Sequence, residues 1–151
     1  MSTPVLLLDS SALVAWILQQ PGRWQPIQAL LTNQGVGKVI AAPALTEIIC
    51  TSRRKGNVSS PTQLQQVITA YVDIEPVLAQ DALLAVSLQE DSNAAGDTYP
   101  DGSPATLSLG DSLILAVAAR LGVPVVTFDR HWGYLFSKAL LPSSIPTIVV
   151  P

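Results

Sequence analysis

The chain contains few of the residues on which several common kinds of functional site depend. Its 151 residues include one cysteine, one histidine and one methionine, and only 13% of them are charged. A single cysteine excludes an internal disulfide, and one cysteine with one histidine excludes a zinc site of clustered soft ligands. No glycine-rich turn follows the first apolar segment, which argues against a dinucleotide-binding or P-loop domain.

The charge balance limits how the chain can meet nucleic acid. Its formal net charge is -3 and its pI is near 4.8, whereas domains that coat nucleic acid by charge alone are usually basic. Any such contact must therefore be local or assisted by a metal ion. The mean hydropathy is +0.39, so we expect a partner to cover some apolar surface, and the helix candidates around Trp16–Leu31 are the expected apolar patch.

The same sequence bears on compartment and domain number. Cys50 lies in the apolar helix pattern ALTEIIC, which predicts a buried packing thiol and fits a reducing, cytoplasmic setting. The stretch MSTPVLLLDSSALVAWIL lacks a basic start and carries Asp9 within its apolar run, which argues against a signal peptide or membrane span. The length and the absence of a linker predict one compact domain over residues 1–151.

Short apolar runs alternate with helical patterns along the chain. The predicted strands are Val5–Leu8, Lys38–Ala41, an edge strand within Val72–Val77, Val125–Phe128 and Ile145–Val150. The predicted helices are Ala12–Leu18 capped by Ser10 and Ser11, Trp24–Leu31, one from Pro43 to the residues before Gly56, one from Ser59, Ala79–Leu88, and Asp111–Leu121. A loop is predicted over Asp91–Ser108. This order predicts an α/β protein, a three-layer α/β/α sandwich with a mainly parallel central sheet.

Four acids follow predicted strands or begin the helices after them. They are Asp9, Glu47, Asp111 and Asp129. Carboxylates gathered at one edge of a sheet repel each other unless a divalent cation neutralises them. An all-oxygen set favours Mg²⁺ or Mn²⁺. Taken singly, each acid has an ordinary reading: Asp9 or Asp129 as a strand-end cap, Asp111 as a helix-dipole partner, and Glu47 as a solvated helix residue.

The segments that carry these acids resemble one known family. They are LLLDSSALVAW around Asp9, ALTEI around Glu47, LSLGDSLILAVAARLGVPVVTFD from Leu107 to Asp129, and the trailing PTIVV. In this order they are similar to a PIN domain, and most similar to the VapC-type toxins of bacterial toxin–antitoxin pairs. One departure is the loop Asp91–Ser108, which is longer than expected for the family and borders Asp111.

The resemblance implies a metal-dependent endoribonuclease, the toxin of a type II toxin–antitoxin pair. It implies an Mg²⁺ or Mn²⁺ site formed by Asp9, Asp111 and Asp129, with Glu47 holding a second ion or orienting the attacking water. Ser10 and Thr127 match small polar positions that support this site in the family. The implied partners are an RNA substrate and a cognate antitoxin. The chain is expected to form a homodimer, and no contact with a membrane is expected.

Other polar and aromatic residues carry weaker signals. The run Arg53, Arg54 and Lys55 ends a predicted helix, where it is either a solvated helix end or an RNA contact. His131 is predicted to be a surface residue on the turn after a strand, and Asp91, Asp97 and Asp101 are predicted to be solvated loop acids. The three tryptophans, Trp16, Trp24 and Trp132, are predicted to be core or dimer contacts.

The chain lacks residues that two other classes of protein with a strand-end aspartate need. A phospho-accepting receiver domain needs an adjacent acidic pair near its first strand, where this chain has Leu7 and Leu8. A haloacid-type phosphatase needs an aspartate two residues after the nucleophile, where Ser11 stands. A degenerate PIN fold that acts as an interaction module and a housekeeping RNA-processing nuclease remain as alternatives.

Overall fold

A parallel β-sheet lies at the centre of the fold. The computed structural model describes residues 3–137 and 147–149, and within them the strands are β1 Val5–Leu8, β2 Gly37–Ala41, β3 Asp73–Glu75, β4 Val125–Thr127 and β5 Thr147–Val149. Their order in the sheet is β3-β2-β1-β4-β5, and every neighbouring pair is parallel. The edge strand predicted within Val72–Val77 is β3, which lies at one edge of the sheet, and β1 lies at its centre.

Helices flank this sheet as the predicted three-layer α/β/α sandwich. Those in the described residues are α1 Ser10–Ile17, α2 Trp24–Thr32, α3 Ala42–Arg54, α4 Pro61–Thr69, α5 Ala79–Ala95, α6 Leu109–Leu121 and α7 Arg130–Ser137. The middle of α6, from Ile114 to Ala118, is almost completely buried, as are Leu7 and Leu8 of β1. Covering both faces of the sheet explains why its strands are continuous apolar runs.

The link between α6 and β4 decides which ends of the elements meet. Gly122 ends α6 with φ of +64°, a backbone conformation that glycine adopts without strain, and the amide of Val123 donates to the carbonyl oxygen of Ala118. The chain reverses there and enters β4. The start of α6 therefore returns to the edge where β4 ends, and the register of Leu8 with Val126 brings the end of β1 to the same edge.

Two helices differ from the prediction. Helix α5 continues past Leu88 to Ala95, because Ser92 turns inward and is buried, and Gly96 ends the helix with φ of +65°. Helix α7 was not predicted because its sequence, RHWGYLFS, is only eight residues long and contains a central glycine. Of the predicted last strand, Ile145, Pro146 and Val150 lie outside the described residues.

Two predictions about apolar groups were wrong. Cys50 is exposed, because α3 points Ala44, Ile48 and Ser52 inward instead. The apolar patch expected around Trp16–Leu31 is mostly packed against the core, since Ile27 and Leu31 are buried. The large apolar side chains that stand most exposed are Val58, Leu83, Leu109 and Val86. Trp132, in contrast, is a core residue as predicted.

Within residues 3–137 and 147–149, we find no helix with both the length and the apolar character that crossing a bilayer requires.

Candidate active site

Asp9 occupies the centre of the carboxyl edge of the sheet. It directly follows β1 and is only 3% exposed. Its Oδ2 accepts hydrogen bonds from the hydroxyls of Ser11, at 2.8 Å, and Thr127, at 2.9 Å. Burial raises the pKa of the Asp9 carboxyl, and the two hydroxyl donors oppose that shift. A buried carboxylate is thus held in one orientation.

The same two hydroxyls also fix the end of β4. The Ser11 Oγ accepts from the backbone amide of Phe128 at 3.0 Å, and the Thr127 Oγ1 accepts from that of Asp129 at 2.9 Å. Asp129 is thereby positioned relative to Asp9. The sequence had assigned Ser11 to a helix cap, but Asp9 occupies that position and Ser11 belongs to the site. A hydroxyl residue two positions after a strand-end acid was the available signal.

Ser10 connects Asp9 to Glu47. Its hydroxyl donates to Glu47 Oε2 at 2.8 Å, and Asp9 Oδ1 lies 3.3 Å from the same Oγ. Ser10 therefore does not cap α1 either, and instead links the first turn of α1 to the middle of α3. It lies where a supporting residue was predicted.

Glu47 packs against the first turn of α6. A Cβ placed on Gly110 would overlap the Glu47 Oε1, so this position accepts glycine alone while Glu47 keeps its place. The close approach of α3 and α6 brings Glu47 beside Asp111, the residue after Gly110. The glycine before Asp111 has a steric role that the sequence pattern did not reveal.

Asp111 experiences the charge of the other three acids. Its amide donates to the Oγ of Ser108, which caps α6. Burial, followed by the negative charges of Asp9, Glu47 and Asp129, raises the pKa of Asp111 to about 7. The structure thus brings the four predicted acids into one electrostatic environment, although they come from widely separated parts of the chain.

An open cleft of about 270 Å³ exposes this group, and we call it the acidic cleft. Its lining comprises Asp9, Ser10, Ser11, Val14, Gln20, Arg23, Thr51, Lys55, Asp111 and Asp129. Glu47 joins it indirectly, through Ser10. The lining has mixed charge, with three carboxylates and two cations.

The predicted basic run divides between two surfaces. Lys55 lines the acidic cleft, Arg53 lines a separate groove on α3, and Arg54 is exposed. Arg23 was missed by sequence reasoning; it precedes α2 and lies over the ring of Phe128, 4.9 Å from the centroid. Within the described residues, the ion pairs found join Arg120 to Glu75 and Asp81, and His131 to Asp97, so none involves the four acids.

The donor set of the cleft has the chemistry that a hard cation requires. Its carboxylate and hydroxyl oxygens suit Mg²⁺ or Mn²⁺. Among residues 3–137 and 147–149, however, no three acidic, histidine or cysteine side chains already converge as metal ligands do. The carboxylates of the cleft fit such an ion in their oxygen ligands and in their negative charge, which no lysine or arginine pairs with in the described residues. Their side chains lie further apart than the ligands of a bound metal ion do.

His131 is buried, contrary to the prediction that it lies on the surface. It is 4% exposed and lies in α7, whose start is capped by Asp129 accepting from the His131 amide at 2.9 Å. Its Nδ1 is 2.8 Å from Asp97 Oδ2, and its Nε2 is 3.2 Å from Ser92 Oγ. Asp97, predicted to be a solvated loop acid, is therefore a partner of His131.

This chain of contacts has the order of a nucleophilic triad, yet it is structural. Ser92 is 1% exposed, and its Oγ also accepts from the amide of Leu107 at 3.0 Å. No substrate can reach it. We call Ser92, His131 and Asp97 the polar tether, because they join α5, the following loop and α7.

The fold and the cleft together define an α/β protein with an acidic site at the carboxyl edge of a parallel sheet, where such sheets place ligands. The sequence profile of the PIN domain family matches residues 6–135, and the chain belongs to that family. This confirms the resemblance stated above.

Solved structures with the same fold include toxin–antitoxin proteins. VapBC2 from Rickettsia felis, bound to a DNA fragment from its promoter, is 14% identical with a TM-score of 0.68, over 97% of this chain and 99% of that one. VapC20 from Mycobacterium tuberculosis, a toxin that cleaves the sarcin–ricin loop, is 17% identical with a TM-score of 0.67, over 91% and 96%. FitAcB from Neisseria gonorrhoeae is 18% identical with a TM-score of 0.62, over 97% and 96%. No curated protein matches the sequence.

Proposed function

We propose that this chain is a metal-dependent endoribonuclease and the toxin of a type II toxin–antitoxin pair. One observation carries the proposal. The carboxylates that follow β1 and β4 and the one in the first turn of α6 line the acidic cleft, and that of Glu47 in α3 is joined to it through Ser10. Within the described residues none of them is paired with a lysine or arginine. Membership of the PIN family and the fold shared with toxins that include an RNA-cleaving protein support the choice of RNA as substrate.

In this proposal, Asp9, Asp111 and Asp129 hold Mg²⁺ or Mn²⁺, and Glu47 holds a second ion or orients water. A bound divalent cation supplies an activated water and neutralises charge on the phosphate. Asp9 is already oriented by Ser11 and Thr127, so Asp111 and Asp129 are the side chains that would move toward it. Lys55 and Arg23 line the cleft and supply the positive charge that would bind RNA phosphates. His131 is buried and takes no part.

Cleavage of single-stranded RNA tests this function. We expect cleavage with Mg²⁺ or Mn²⁺, none in EDTA, and products that end in a 5′-phosphate and a 3′-hydroxyl. Asp9→Asn should reduce cleavage by at least about 100-fold, whereas Asp73→Asn, at an exposed acid of β3, should not. Cleavage that persists in EDTA, or products with 2′,3′-cyclic phosphates, would contradict the mechanism.

The toxin role needs a separate test, since a housekeeping nuclease or a degenerate interaction module would share the fold. We propose an antitoxin that covers the acidic cleft and places an arginine or lysine among the carboxylates, where its charge replaces that of the metal ion. A small neighbouring gene for a DNA-binding protein would supply it. Expressing the active chain alone should arrest growth, and co-expression of the neighbour should restore it. Unaffected growth with a folded, active nuclease would count against a toxin.

A further inference from the structure

A second pocket opens beside the acidic cleft and shares one wall with it. Its volume is about 370 Å³, within the range of roughly 300–1,000 Å³ that small-ligand sites occupy. Thr98, Tyr99, Pro100, Arg130 and Tyr134 line it together with Asp129, which also lines the acidic cleft. A ligand in this pocket would therefore lie next to a group bound at Asp129.

The loop that forms the pocket is fixed by hydrogen bonds. Thr98 and Pro104 form an antiparallel bridge, the amide of Tyr99 donates to the Ser103 carbonyl at 2.9 Å, and that of Gly102 donates to the Tyr99 carbonyl at 2.8 Å. The polar tether anchors the loop from below through Asp97. The pocket is thus preformed, which lowers the entropy cost of binding a ligand.

The walls are aromatic and the mouth carries a cation. The rings of Tyr99 and His131 meet edge to face with centroids 6.5 Å apart, and His131 stacks on Tyr134 at 6.3 Å. Tyr99 is 43% exposed. Burial and the negative charges of Asp129, Asp111 and Asp97 raise the pKa of Tyr99. Arg130 is exposed at the edge.

We propose that this pocket receives one nucleobase of single-stranded RNA, with Tyr99 as the stacking platform and the adjoining phosphate at Asp129 in the acidic cleft. The proposal rests on the proposed nuclease function and adds a base subsite to it. An aromatic side chain is a suitable surface because every base presents a π-face. Arg130 at the mouth suits the phosphate on the other side of the bound nucleotide, and the shared wall sets the base one position from the cleaved bond.

Two measurements test the subsite, one of which does not depend on cleavage. Short RNAs that carry 2-aminopurine at successive positions report stacking through quenching of their fluorescence. The measurement uses Ca²⁺ in place of Mg²⁺, so that a hard cation neutralises the acidic cleft, and times too short for cleavage. We expect one position to be quenched by the parent and by Tyr99→Phe. Tyr99→Ala should bind this RNA roughly 5- to 150-fold more weakly, the range for loss of one base–aromatic stack. Tyr71→Ala is the control, because Tyr71 is a tyrosine of similar exposure, 39%, that packs on Trp16.

In the second measurement, Tyr99→Ala is combined with RNAs that lack a single base. With Mg²⁺, Tyr99→Ala should lower kcat/KM on intact RNA by a similar factor, and have no further effect on RNA that is abasic at the stacked position. If parent and Tyr99→Ala quench alike, the subsite is wrong even though the chain cleaves RNA. If the chain does not cleave but Tyr99→Ala still loses quenching, the nuclease proposal fails and the base pocket stands. Absence of quenching by the parent at every position overturns the subsite and leaves the pocket to a peptide side chain of a partner.

Discussion

At the scale of single residues, Asp9 and Asp111 respond differently to burial. Asp9 receives two side-chain hydroxyl hydrogen bonds that stabilise its charged form. Asp111 has less compensation, and the three neighbouring acids add to the effect of burial, so its pKa rises to about 7. The charge of Asp111 at neutral pH should therefore depend on a bound cation.

We expect the metal-free protein to lose stability as the pH rises from about 4 to about 7. In this window the unfolded chain has released the Asp111 proton, whose ordinary pKa is 3.8, while the folded chain keeps it until about pH 7. The folded state binds more protons there, so the free energy of unfolding falls with pH. Asp111→Asn should reduce this slope, and the part that remains comes from Asp9, whose pKa is also raised. Because the Asp111 side chain retains contact with solvent, Asp111→Asn should be more stable than the parent above pH 7 by about 1 kcal/mol. Urea unfolding in EDTA measures it.

A helix-start role for Asp111 predicts the opposite sign, because asparagine would lose the favourable charge–dipole interaction. Asp111→Asn would then unfold more easily in EDTA than the parent. Millimolar Mg²⁺ should raise the melting temperature of the parent, since the ion binds only the folded site, and should raise that of Asp111→Asn much less. If Mg²⁺ raises the melting temperature of Asp111→Asn as much as that of the parent, Asp111 is not a metal ligand.

Gly110→Ala tests the close approach of Glu47 to α6. Alanine normally stabilises a helix relative to glycine by about 1 kcal/mol, but here the new Cβ overlaps Glu47 Oε1. Because that oxygen is the end of a flexible side chain, we expect the Glu47 carboxylate to move aside and weaken its hydrogen bond from Ser10. Gly110→Ala should therefore stabilise the parent less than it stabilises the Glu47→Ala background, where the obstacle is gone. Chemical denaturation of the four proteins in this cycle measures the coupling. Equal effects in both backgrounds would mean that the two residues do not constrain each other.

At the scale of elements, the loop after α5 depends on the polar tether. Its three members come from α5, the loop and α7, so each element is positioned by the others. Ser92 is buried in a helix segment rich in serine, asparagine and aspartate, types that favour caps and turns over helix interiors. Tertiary hydrogen bonds therefore outweigh the local preference there.

His131→Ala should loosen this loop more than the sheet. The change removes the partner of buried Ser92 and of Asp97, and we expect a loss of about 1–3 kcal/mol. Amide hydrogen exchange should accelerate at Tyr99, Gly102 and Leu107, whose amides bond within this region, while the amides of β1 keep their relative protection. Asp91→Ala is the control, because Asp91 is an exposed acid of α5 beside Ser92. Unchanged exchange in the loop would contradict the tether.

At the scale of the whole molecule, an acidic protein carries three carboxylates in one cleft and several apolar side chains on its surface. The net charge is -3, so the overall field would not attract RNA, the proposed substrate, and its binding would come from local contacts and a cation. Leu83 and Val86 of α5 are exposed and lie three residues apart on one face. Such residues are candidates for cover by a second chain.

We predict a homodimer in solution, as the family resemblance implies. An interface that buries apolar side chains should persist at high salt, since screening weakens charge pairs and not apolar contacts. Light scattering at micromolar concentration should give twice the chain mass at both low and high salt. A monomer mass at low salt would remove the prediction, and a dimer that dissociates in salt would point to a charged interface instead.

The sequence alone determined the elements that place Asp9, Asp111 and Asp129. Each of these acids begins or ends an apolar segment whose period and length identify a buried strand or helix, and that information is local. Parallel strands with helical connections then bring their carboxyl ends to one edge, so the acidic cleft followed from the order of the elements.

Only the tertiary structure decided which side chains surround those acids. Thr127 contacts Asp9 across 118 residues of sequence, and His131 contacts Ser92 across 39. Such contacts depend on strand register and on how closely two helices approach, as with Glu47 and Gly110. The spacing of residues along the chain encodes neither the strand register nor the distance between helices, because both are set by packing between elements that are distant in sequence. The same reason hid the roles of Ser11, Arg23 and Asp97 until the fold was known.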